Sequence, residues 1–237
     1  MTTQGYTNPE LLWTPEQLHS RLGDPNLAIL DVRASATYTQ GWIPGAVHLD
    51  LFGISLNDTS PQPLAAFMWM IQHLFEQRGV NLDKTVVFYE GISGMRAARG
   101  FWFLEYLGHT DVHVLDGGLN AWQAAGYPVT TEAPRVREVQ FQPRVRESLI
   151  INADDLHALL GAGDLALLDT RTDDEYLAKS VRAARGGTIP GSVHIEWVHN
   201  LDADGAFRPA AELRAKYLCR IIFILLHGCT WLSAYKM

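Results

Sequence analysis

One stretch of the chain occurs twice, and this repeat constrains the fold more than any other sequence feature. The first copy, residues 28–48, contains Leu-Asp-Val-Arg and then Ile-Pro-Gly-Ala-Val-His; the second, residues 166–194, contains Leu-Asp-Thr-Arg and then Ile-Pro-Gly-Ser-Val-His. Asp31 and Asp169 are 138 positions apart, whereas the two Ile-Pro-Gly turns are 146 apart, so the second copy carries eight extra residues. A unit repeated in this way predicts two domains of one kind.

The repeat divides the 237-residue chain into two α/β domains. We assign residues 10–130 to the first domain and 149–237 to the second. Residues 131–148 between them are charged and interrupted by prolines, as is typical of a linker. The first domain is predicted to contain strands at 27–31, 46–49, 85–89 and 112–115, and helices at 14–22, 64–78, 94–107 and 119–125. This alternation predicts a mainly parallel sheet flanked by helices in each domain.

The second domain follows the pattern of the first only to about residue 217. Beyond this point the sequence has no acidic residue and contains a single apolar run. Adding the second offset to Glu90 puts the equivalent position at residue 236, next to the last residue. We therefore expect the second domain to be incomplete, truncated before its active-site loop. A true truncation, a frameshift or a sequence error would each produce this ending.

The residues after the third predicted strand have the composition of an anion-binding loop. Glycine and serine favour a tight turn in which backbone N–H groups converge, and a helix of strong formers follows. A loop at the start of a helix presents amide donors and a positive dipole end to an anion. The predicted anion loop consists of Gly91, Ile92, Ser93, Gly94, Met95 and Arg96.

Glu90 stands at the end of this strand, where an anion-handling enzyme would carry its nucleophile. A carboxylate at this position competes with an anion for the same donors and repels it. Glu90 could act as an acid or base, or it could cap the amides of its own loop or be a relic of a lost nucleophile position. We favour the latter two interpretations, because no paired carboxylate lies nearby in the sequence. The degenerate nucleophile position leaves no assigned catalytic residue in the first domain.

The two cysteines, Cys219 and Cys229, both lie in the last 19 residues. They do not form a disulfide framework, which favours a reducing, cytoplasmic compartment. Cys229 is the only candidate nucleophile that follows a strand-like run, residues 221–226. We regard it as a weak candidate, because no helix start follows it and a thiol without convergent amides keeps an ordinary reactivity.

Polar residues shared by both copies are interpreted as structural. The Asp–Arg pairs are expected to be hydrogen-bonded at the strand ends, and the histidines are expected to pack rather than to bind metal. These residues are Asp31, Arg33 and His48 in the first copy, and Asp169, Arg171 and His194 in the second. Arg182 and Arg185 lie in the eight extra residues, where they could line the approach of an anionic substrate or belong to a solvated loop. The Asp116-Gly-Gly segment is interpreted as a tight turn.

These motifs together resemble the rhodanese family, in particular its tandem-domain thiosulfate sulfurtransferases. The resemblance rests on the paired Leu-Asp-x-Arg strands, the paired Ile-Pro-Gly-x-Val-His turns, the 89–99 loop and the segment Val114–Trp122, and it covers residues 10 to about 217. It implies a ping-pong mechanism in which a loop thiolate takes sulfur from a donor such as thiosulfate and passes it to cyanide or a thiol. It also implies that the second domain carries the cysteine, while the first has an acidic residue in its place.

The resemblance leaves two main functional hypotheses. The chain is either a sulfurtransferase homologue that is itself inactive, or a non-catalytic rhodanese-like module that binds anions or partners. A phosphatase on the same fold is a third hypothesis, but it also needs a loop cysteine. No cofactor or metal is expected. A small anionic sulfur compound such as thiosulfate would be the substrate if the chain were active.

Charge and hydropathy exclude two classes of partner. The net charge of -7 argues against nucleic acid or an anionic membrane as the main partner. The apolar run of residues 221–226 is far shorter than the roughly 20 residues needed to span a bilayer. The N-terminus has no apolar segment typical of a secretory signal. The oligomeric state is left open.

Overall fold

The computed structural model describes residues 5–56, 58–162, 165–217, 225–227 and 230–232. The helices are α1 (Pro15–Ser20), α2 (Ser35–Tyr38), α3 (Pro61–Glu76), α4 (Met95–Tyr106), α5 (Gly118–Ala124), α6 (Ala153–Leu159), α7 (Asp173–Tyr176) and α8 (Ala210–Lys216). The strands are β1 (Leu12–Trp13), β2 (Leu27–Asp31), β3 (Val47–His48), β4 (Thr85–Tyr89), β5 (Val112–Leu115), β6 (Leu168–Asp169), β7 (Val193–His194), β8 (Leu225–His227) and β9 (Thr230–Leu232). Within the described ranges, no helix is long and apolar enough to cross a membrane.

The first domain is built on a parallel five-stranded sheet with the order β1-β5-β4-β2-β3. Its middle strand β4 is buried at every residue, because helices cover both faces. Val86 and Phe88 point into one core, which includes Phe75 of α3 and Phe103 of α4. Val87 and Tyr89 point into the opposite core with Trp122 of α5. The predicted α/β class and parallel sheet are confirmed.

Most elements predicted for the first domain lie within a few residues of their observed bounds, but α3 begins earlier, and the short elements α2 and β1 were not predicted. Helix α3 begins at Pro61 rather than at 64, because a proline in the first turn loses no hydrogen bond that the helix needs. Strand β1 was not predicted, since two residues carry no periodic signal. β1 pairs in parallel with β5, with Leu12 opposite Val114, so β5 is not the outermost strand.

The second sheet has the order β7-β6-β8-β9. The register of β6 with β7, Leu168 opposite Val193, reproduces that of β2 with β3, in which Leu30 lies opposite Val47. These partners are related by the two sequence offsets, which confirms the repeat. Strand β8 runs parallel to β6 in the place that β4 takes beside β2, and β9 is antiparallel to β8.

Residue 236, the position counted as equivalent to Glu90, lies outside the described residues, and the strand register indicates a different position. Leu225 lies opposite Leu168 as Phe88 lies opposite Leu30, so the register puts His227 at the position of Glu90. The two positions differ because α8 has 7 residues whereas α3 has 16, which shortens the path to the next strand. Among the described residues, β9 follows β8 as the second arm of a hairpin, rather than a helix like α4.

The segment predicted as a linker, residues 131–148, lies along the first domain. Phe141 is buried in the core of that domain, and its N–H donates to Glu76 Oε1 at 2.9 Å. Gln72 Nε2 donates to the carbonyl oxygen of Phe141 at 2.9 Å, and Arg144 N donates to Leu107 O at 2.8 Å. The segment is therefore a docked strap rather than a free connection, and we call residues 131–148 the strap.

Candidate functional site

The candidate site lies where β4 ends and α4 begins, at the carboxyl edge of the first sheet. Glu90 directly follows β4, and its side chain turns back to the first turn of the helix. Glu90 Oε1 accepts hydrogen bonds from Arg96 N at 2.7 Å and from Ala97 N at 3.1 Å. The first amides of a helix have no partner within the helix, so a single carboxyl oxygen satisfies two of these donors.

Gly94 makes room for this carboxyl group. A Cβ atom built at position 94 would lie 2.6 Å from Glu90 Oε1 and 2.9 Å from Glu90 Oε2, which is closer than real contacts allow. The Gly94 amide donates to Ile92 O at 2.9 Å and closes the turn. A glycine is therefore required here by the close approach of the Glu90 side chain.

Burial raises the pKa of the Glu90 carboxyl group above its ordinary value. The amides of Ala97 and Arg96 and the charge of Arg96 oppose this shift of the pKa, while nearby Asp31 adds to it. Desolvation of the charged form is the largest of these effects. The site thus holds a proton more firmly than an exposed glutamate does.

The other side of the loop is fixed by the turn that precedes α5. Ser93 is buried, and its hydroxyl donates to Asp116 Oδ1 at 2.7 Å and accepts from Gly117 N at 2.7 Å. The carbonyl oxygen of Glu90 accepts from Leu119 N at 2.7 Å. A Cβ atom at position 118 would overlap the Glu90 carbonyl, so the glycine there, at φ +57°, lets the two segments touch.

The loop also meets the second domain. Ser93 N donates to Gly205 O at 2.8 Å, and Phe207 N donates to Asp116 Oδ1 at 2.9 Å. Burial raises the pKa of Asp116; the Phe207 amide and the Ser93 hydroxyl oppose the shift, and the nearby charge of Asp202 adds to it. The turn of residues 202–207, which we call the docking turn, thus contacts the first domain at one donor and one acceptor.

The residues of the predicted anion loop lie together, but several amides of the loop and of the first turn of α4 already have acceptors within the protein. The backbone N–H groups of Ser93, Gly94, Arg96 and Ala97 all donate to oxygen atoms of the protein itself. The side chain of Arg96 also has partners: its Nη1 donates to Asp50 Oδ1 at 2.8 Å, and its guanidinium lies over the ring of Phe52. An external anion that bound to these four amides would have to displace their acceptors.

Both strand-end Asp–Arg pairs are hydrogen-bonded as predicted. Asp31 accepts from the main chain and the guanidinium of Arg33, and Arg33 Nη2 also donates to Gly41 O at 2.6 Å. In the second domain, Asp169 accepts from Arg171 in the same way. The bidentate geometry with an additional main-chain bond is that of a structural clamp.

The two histidines are held by hydrogen bonds and stacking. His48 Nε2 lies 2.8 Å from Arg33 O and its ring stacks on Tyr38, whereas His194 Nδ1 lies 2.9 Å from Asp169 O. In the part of the chain that the structure describes, no cluster of three or more metal-ligating side chains occurs.

The remaining candidates are one paired arginine, one exposed arginine and the two cysteines. Arg182 Nε lies 3.2 Å from Glu175 Oε1, a buried carboxylate, so its charge is at least partly engaged. Arg185 is exposed. Cys219 and Cys229 fall outside the described residues.

The sequence matches the description "Rhodanese-like domain" at residues 14–125 and again at 152–221. A thiosulfate sulfurtransferase of Azotobacter vinelandii is 32% identical over 206 residues, which cover 87% of this chain and 76% of the relative. The sulfur carrier protein TtuD of Thermus thermophilus is 33% identical over 231 residues, covering 90% and 79%. A probable 3-mercaptopyruvate sulfurtransferase of Pseudomonas aeruginosa is 33% identical over 225 residues, covering 87% and 78%.

Solved structures agree on the fold. The crystal structure of SseA from Escherichia coli, described as a 3-mercaptopyruvate sulfotransferase, superposes with a TM-score of 0.76 at 23% identity and covers 91% of this chain and 87% of its own. The chain therefore belongs to the rhodanese family. Two matches in one chain, together with these relatives, make it a tandem rhodanese of the sulfurtransferase type.

Sequence reasoning missed the contact between the loop and the docking turn. Asp116 was interpreted only as part of a tight turn, and its partner Phe207 lies 91 positions away in a segment without a motif. The Asp-Ala-Asp-Gly sequence of residues 202–205 indicates a turn, but no local pattern tells which surface that turn will contact.

Proposed function

We propose that this chain is a sulfurtransferase homologue whose first domain carries out no sulfur transfer, and that it lacks thiosulfate:cyanide sulfurtransferase activity. The observation that carries this proposal is the position of the Glu90 side chain, whose Oε1 accepts hydrogen bonds from the amides of Arg96 and Ala97. The side chain at the nucleophile position fills the place where an anionic sulfur donor would bind.

The chemistry of sulfur transfer supports the same conclusion. The thiolate of a sulfurtransferase attacks the outer sulfur of thiosulfate, an S–S bond forms, and sulfite leaves with the electron pair of the broken bond. The persulfide then passes its outer sulfur to cyanide or a thiol and the thiolate is regenerated. A carboxylate such as that of Glu90 cannot form a stable, transferable sulfane sulfur, so the first domain lacks the reactive atom.

A second candidate function, that of a sulfur carrier through Cys229, is favoured by one observation. Strand β8 takes the place beside β6 that β4 takes beside β2, and Cys229 follows β8 in the sequence. The Thermus relative is named a sulfur carrier protein, so a carrier without turnover is a chemically coherent alternative. This hypothesis and the first differ in whether a persulfide forms on the parent chain.

The test combines turnover with detection of the persulfide. The full chain is assayed for thiocyanate formation from thiosulfate and cyanide, and intact mass is measured after exposure to thiosulfate or to 3-mercaptopyruvate. We expect the parent to match a no-enzyme blank, Glu90→Cys to gain one sulfur atom, and Cys229→Ser to change nothing. Cys219→Ser is the matched control for removal of a thiol.

Two outcomes would contradict the proposal. Parent activity that disappears in Cys229→Ser but persists in Cys219→Ser would make the second domain catalytic. A persulfide on the parent without turnover, lost in Cys229→Ser, would establish the carrier function instead.

A further inference from the structure

We propose that Glu90 is a positioning residue for the second domain: its carboxyl group holds residues 91–94 in the shape that receives the docking turn. This inference rests on the proposed function, in which Glu90 has no chemical role. It assigns to the former nucleophile position a task in domain assembly.

The hydrogen bonds of Glu90 determine the position of Ser93. Glu90 Oε1 ties the end of β4 to the first turn of α4 through Arg96 N and Ala97 N, which closes the intervening residues into a compact loop. Gly94 permits this closure because it has no side chain where the carboxyl group lies. The closed loop turns the Ser93 amide away from the helix, so that it points at Gly205 O rather than into the domain.

Ser93 in turn connects the loop to the docking turn of the second domain. The Ser93 hydroxyl donates to Asp116 Oδ1, and the same oxygen accepts from Phe207 N. Ser93 therefore contributes twice: its amide binds the docking turn at Gly205, and its hydroxyl orients the acceptor for Phe207. A shift of the loop would weaken both bonds together.

The docking turn is preformed for this contact. Asp202 Oδ1 accepts from Asp204 N and from Ala206 N, each at 3.0 Å, and Asp202 N donates to Ala206 O at 2.9 Å. Side chains of this kind that bond their own backbone fix a turn locally. The rigid turn meets a loop whose shape is set by Glu90, so the loop is the variable partner.

The fit is also steric. Gly205 has φ +80°, and a Cβ atom there would overlap the side chain of Ile92. Ile92 thus packs directly on the backbone of Gly205 in the docking turn. This close contact leaves no room for a displaced loop. Since the shape of residues 91–94 and docking of the turn depend on each other, their coupling must act in both directions.

The first experiment measures amide hydrogen exchange by NMR in the full chain. We expect Glu90→Ala to speed exchange at Ser93 and Phe207 by about tenfold or more, the scale of losing one hydrogen bond in a local opening. Glu90→Gln is the matched control: it retains Oε1 as an acceptor and should stay within about threefold of the parent. Amides of β2 serve as the reference for general destabilisation.

Two results of this experiment would overturn the proposal. One is parent-like protection of Ser93 and Phe207 in Glu90→Ala. The other is an equal acceleration in β2, which would show that Glu90 supports the whole domain rather than the docking contact.

The second experiment changes the docking turn instead of Glu90, so it tests the coupling even if Glu90→Ala does not fold. Gly205→Ala should speed exchange at Arg96 and Ala97 as well as at Phe207, because an undocked loop releases its hold on Glu90. Gly161→Ala is the matched control, since Gly161 has φ +89° with no atom near its Cβ position. Unchanged protection at Arg96 and Ala97 in Gly205→Ala would refute the coupling.

Neither experiment depends on sulfur chemistry. A catalytically active parent would refute the proposed function but leave the exchange result intact, and lost coupling would refute the positioning role while leaving inactivity untouched.

Discussion

The strand-end units of the two domains make the same bonds in different surroundings. Arg33 Nη2 reaches Gly41 O at 2.6 Å in the first domain, and Arg171 Nη2 reaches Gly187 O at 2.7 Å in the second. The eight extra residues of the second copy lie between Arg171 and Gly187, yet the bond is preserved. This unit therefore depends on its own Asp, Arg and turn, and not on the length of the connection.

The two strand-end units differ in how deeply the neighbouring elements bury them. Tyr89 of β4 donates its hydroxyl to Asp31 at 2.6 Å in a fully buried site, whereas Thr188 donates to Asp169 at 3.1 Å near the surface. Val193 of β7 is 48% exposed, while Val47 of β3 packs against the core of α3 and α4. The repeated motif therefore folds locally, while the neighbouring strand and helices determine how deeply it is buried.

The largest expected difference comes from removing the aspartates. Asp31→Ala leaves the Arg33 guanidinium, with a side chain 10% exposed, buried without its partner, which costs about 3–5 kcal/mol. Asp169→Ala should cost less, because the Arg171 side chain is 18% exposed and retains more water. Urea unfolding followed by NMR signals of each domain measures the two values. Equal losses of unfolding free energy would contradict the distinction between the buried unit of the first domain and the more exposed unit of the second.

A smaller difference is expected from the hydroxyls that bond these aspartates. Tyr89→Phe removes a donor to Asp31 and the acceptor of Ile43 N, a buried loss of about 1–3 kcal/mol. Thr188→Val should cost about 1 kcal/mol or less, because water can replace the hydroxyl near the surface. The same unfolding assay compares them. A loss of stability in Thr188→Val as large as that in Tyr89→Phe would show that water is excluded from the second unit as fully as from the first.

The pH dependence should have opposite signs in the two domains. Burial raises the pKa of Glu90 above 4.5, so its contribution to stability is complete below that pH and is lost as pH rises through the raised pKa. Burial acts against the shift at Asp169, but hydrogen bonds and the charge of Arg171 lower its pKa below 3.8; its contribution is therefore lost as pH falls through the lowered pKa.

Stability profiles of each domain from pH 3 to 7, with Glu90→Gln and Asp169→Asn as neutral variants, test these signs. Each substitution should abolish the slope assigned to its residue. A Glu90 profile that rises with pH would contradict the desolvated environment described for it.

The smallest effect is expected at the surface of the second unit. His194 Nε2 lies 2.8 Å from Asp173 Oδ1, whose side chain is 61% exposed, whereas the first copy has Ser35 at the corresponding position. Asp173→Ser should cost about 0.2–1 kcal/mol, and less as salt is added. Unfolding at low and high ionic strength measures it; a loss independent of salt would indicate a structural role for Asp173 beyond charge.

The local elements of the first domain were predictable because each has a strong sequence signal. The β-branched run of residues 85–89 gave β4, and the paired Leu-Asp-x-Arg motifs gave both strand-end units with their register. The position of β8 was not predictable from the repeat, since the shorter α8 broke the offset on which the count depended.

The candidate site was predictable only in part, for a physical reason. The loop 90–96 is a local feature, and the capping of its own amides by Glu90 needs partners no more than seven positions away. The bonds from Ser93 and Asp116 to the docking turn join residues about ninety or more positions apart. A hydrogen bond between a backbone amide and a carboxylate places no demand on the identity of the donor, so nothing in the sequence marks Phe207 as a partner.

The docked strap bears on the order in which a ribosome delivers the parts of this protein. The core of the first domain includes Phe141, and Glu76 accepts a hydrogen bond from the Phe141 amide. This domain therefore cannot complete its fold until synthesis has passed the strap. A nascent chain that stopped at residue 130 would expose the surface that Phe141 covers. The strap thus completes the core of the first domain while the second domain is still being synthesised. Folding of the first domain is therefore completed only as synthesis of the second begins.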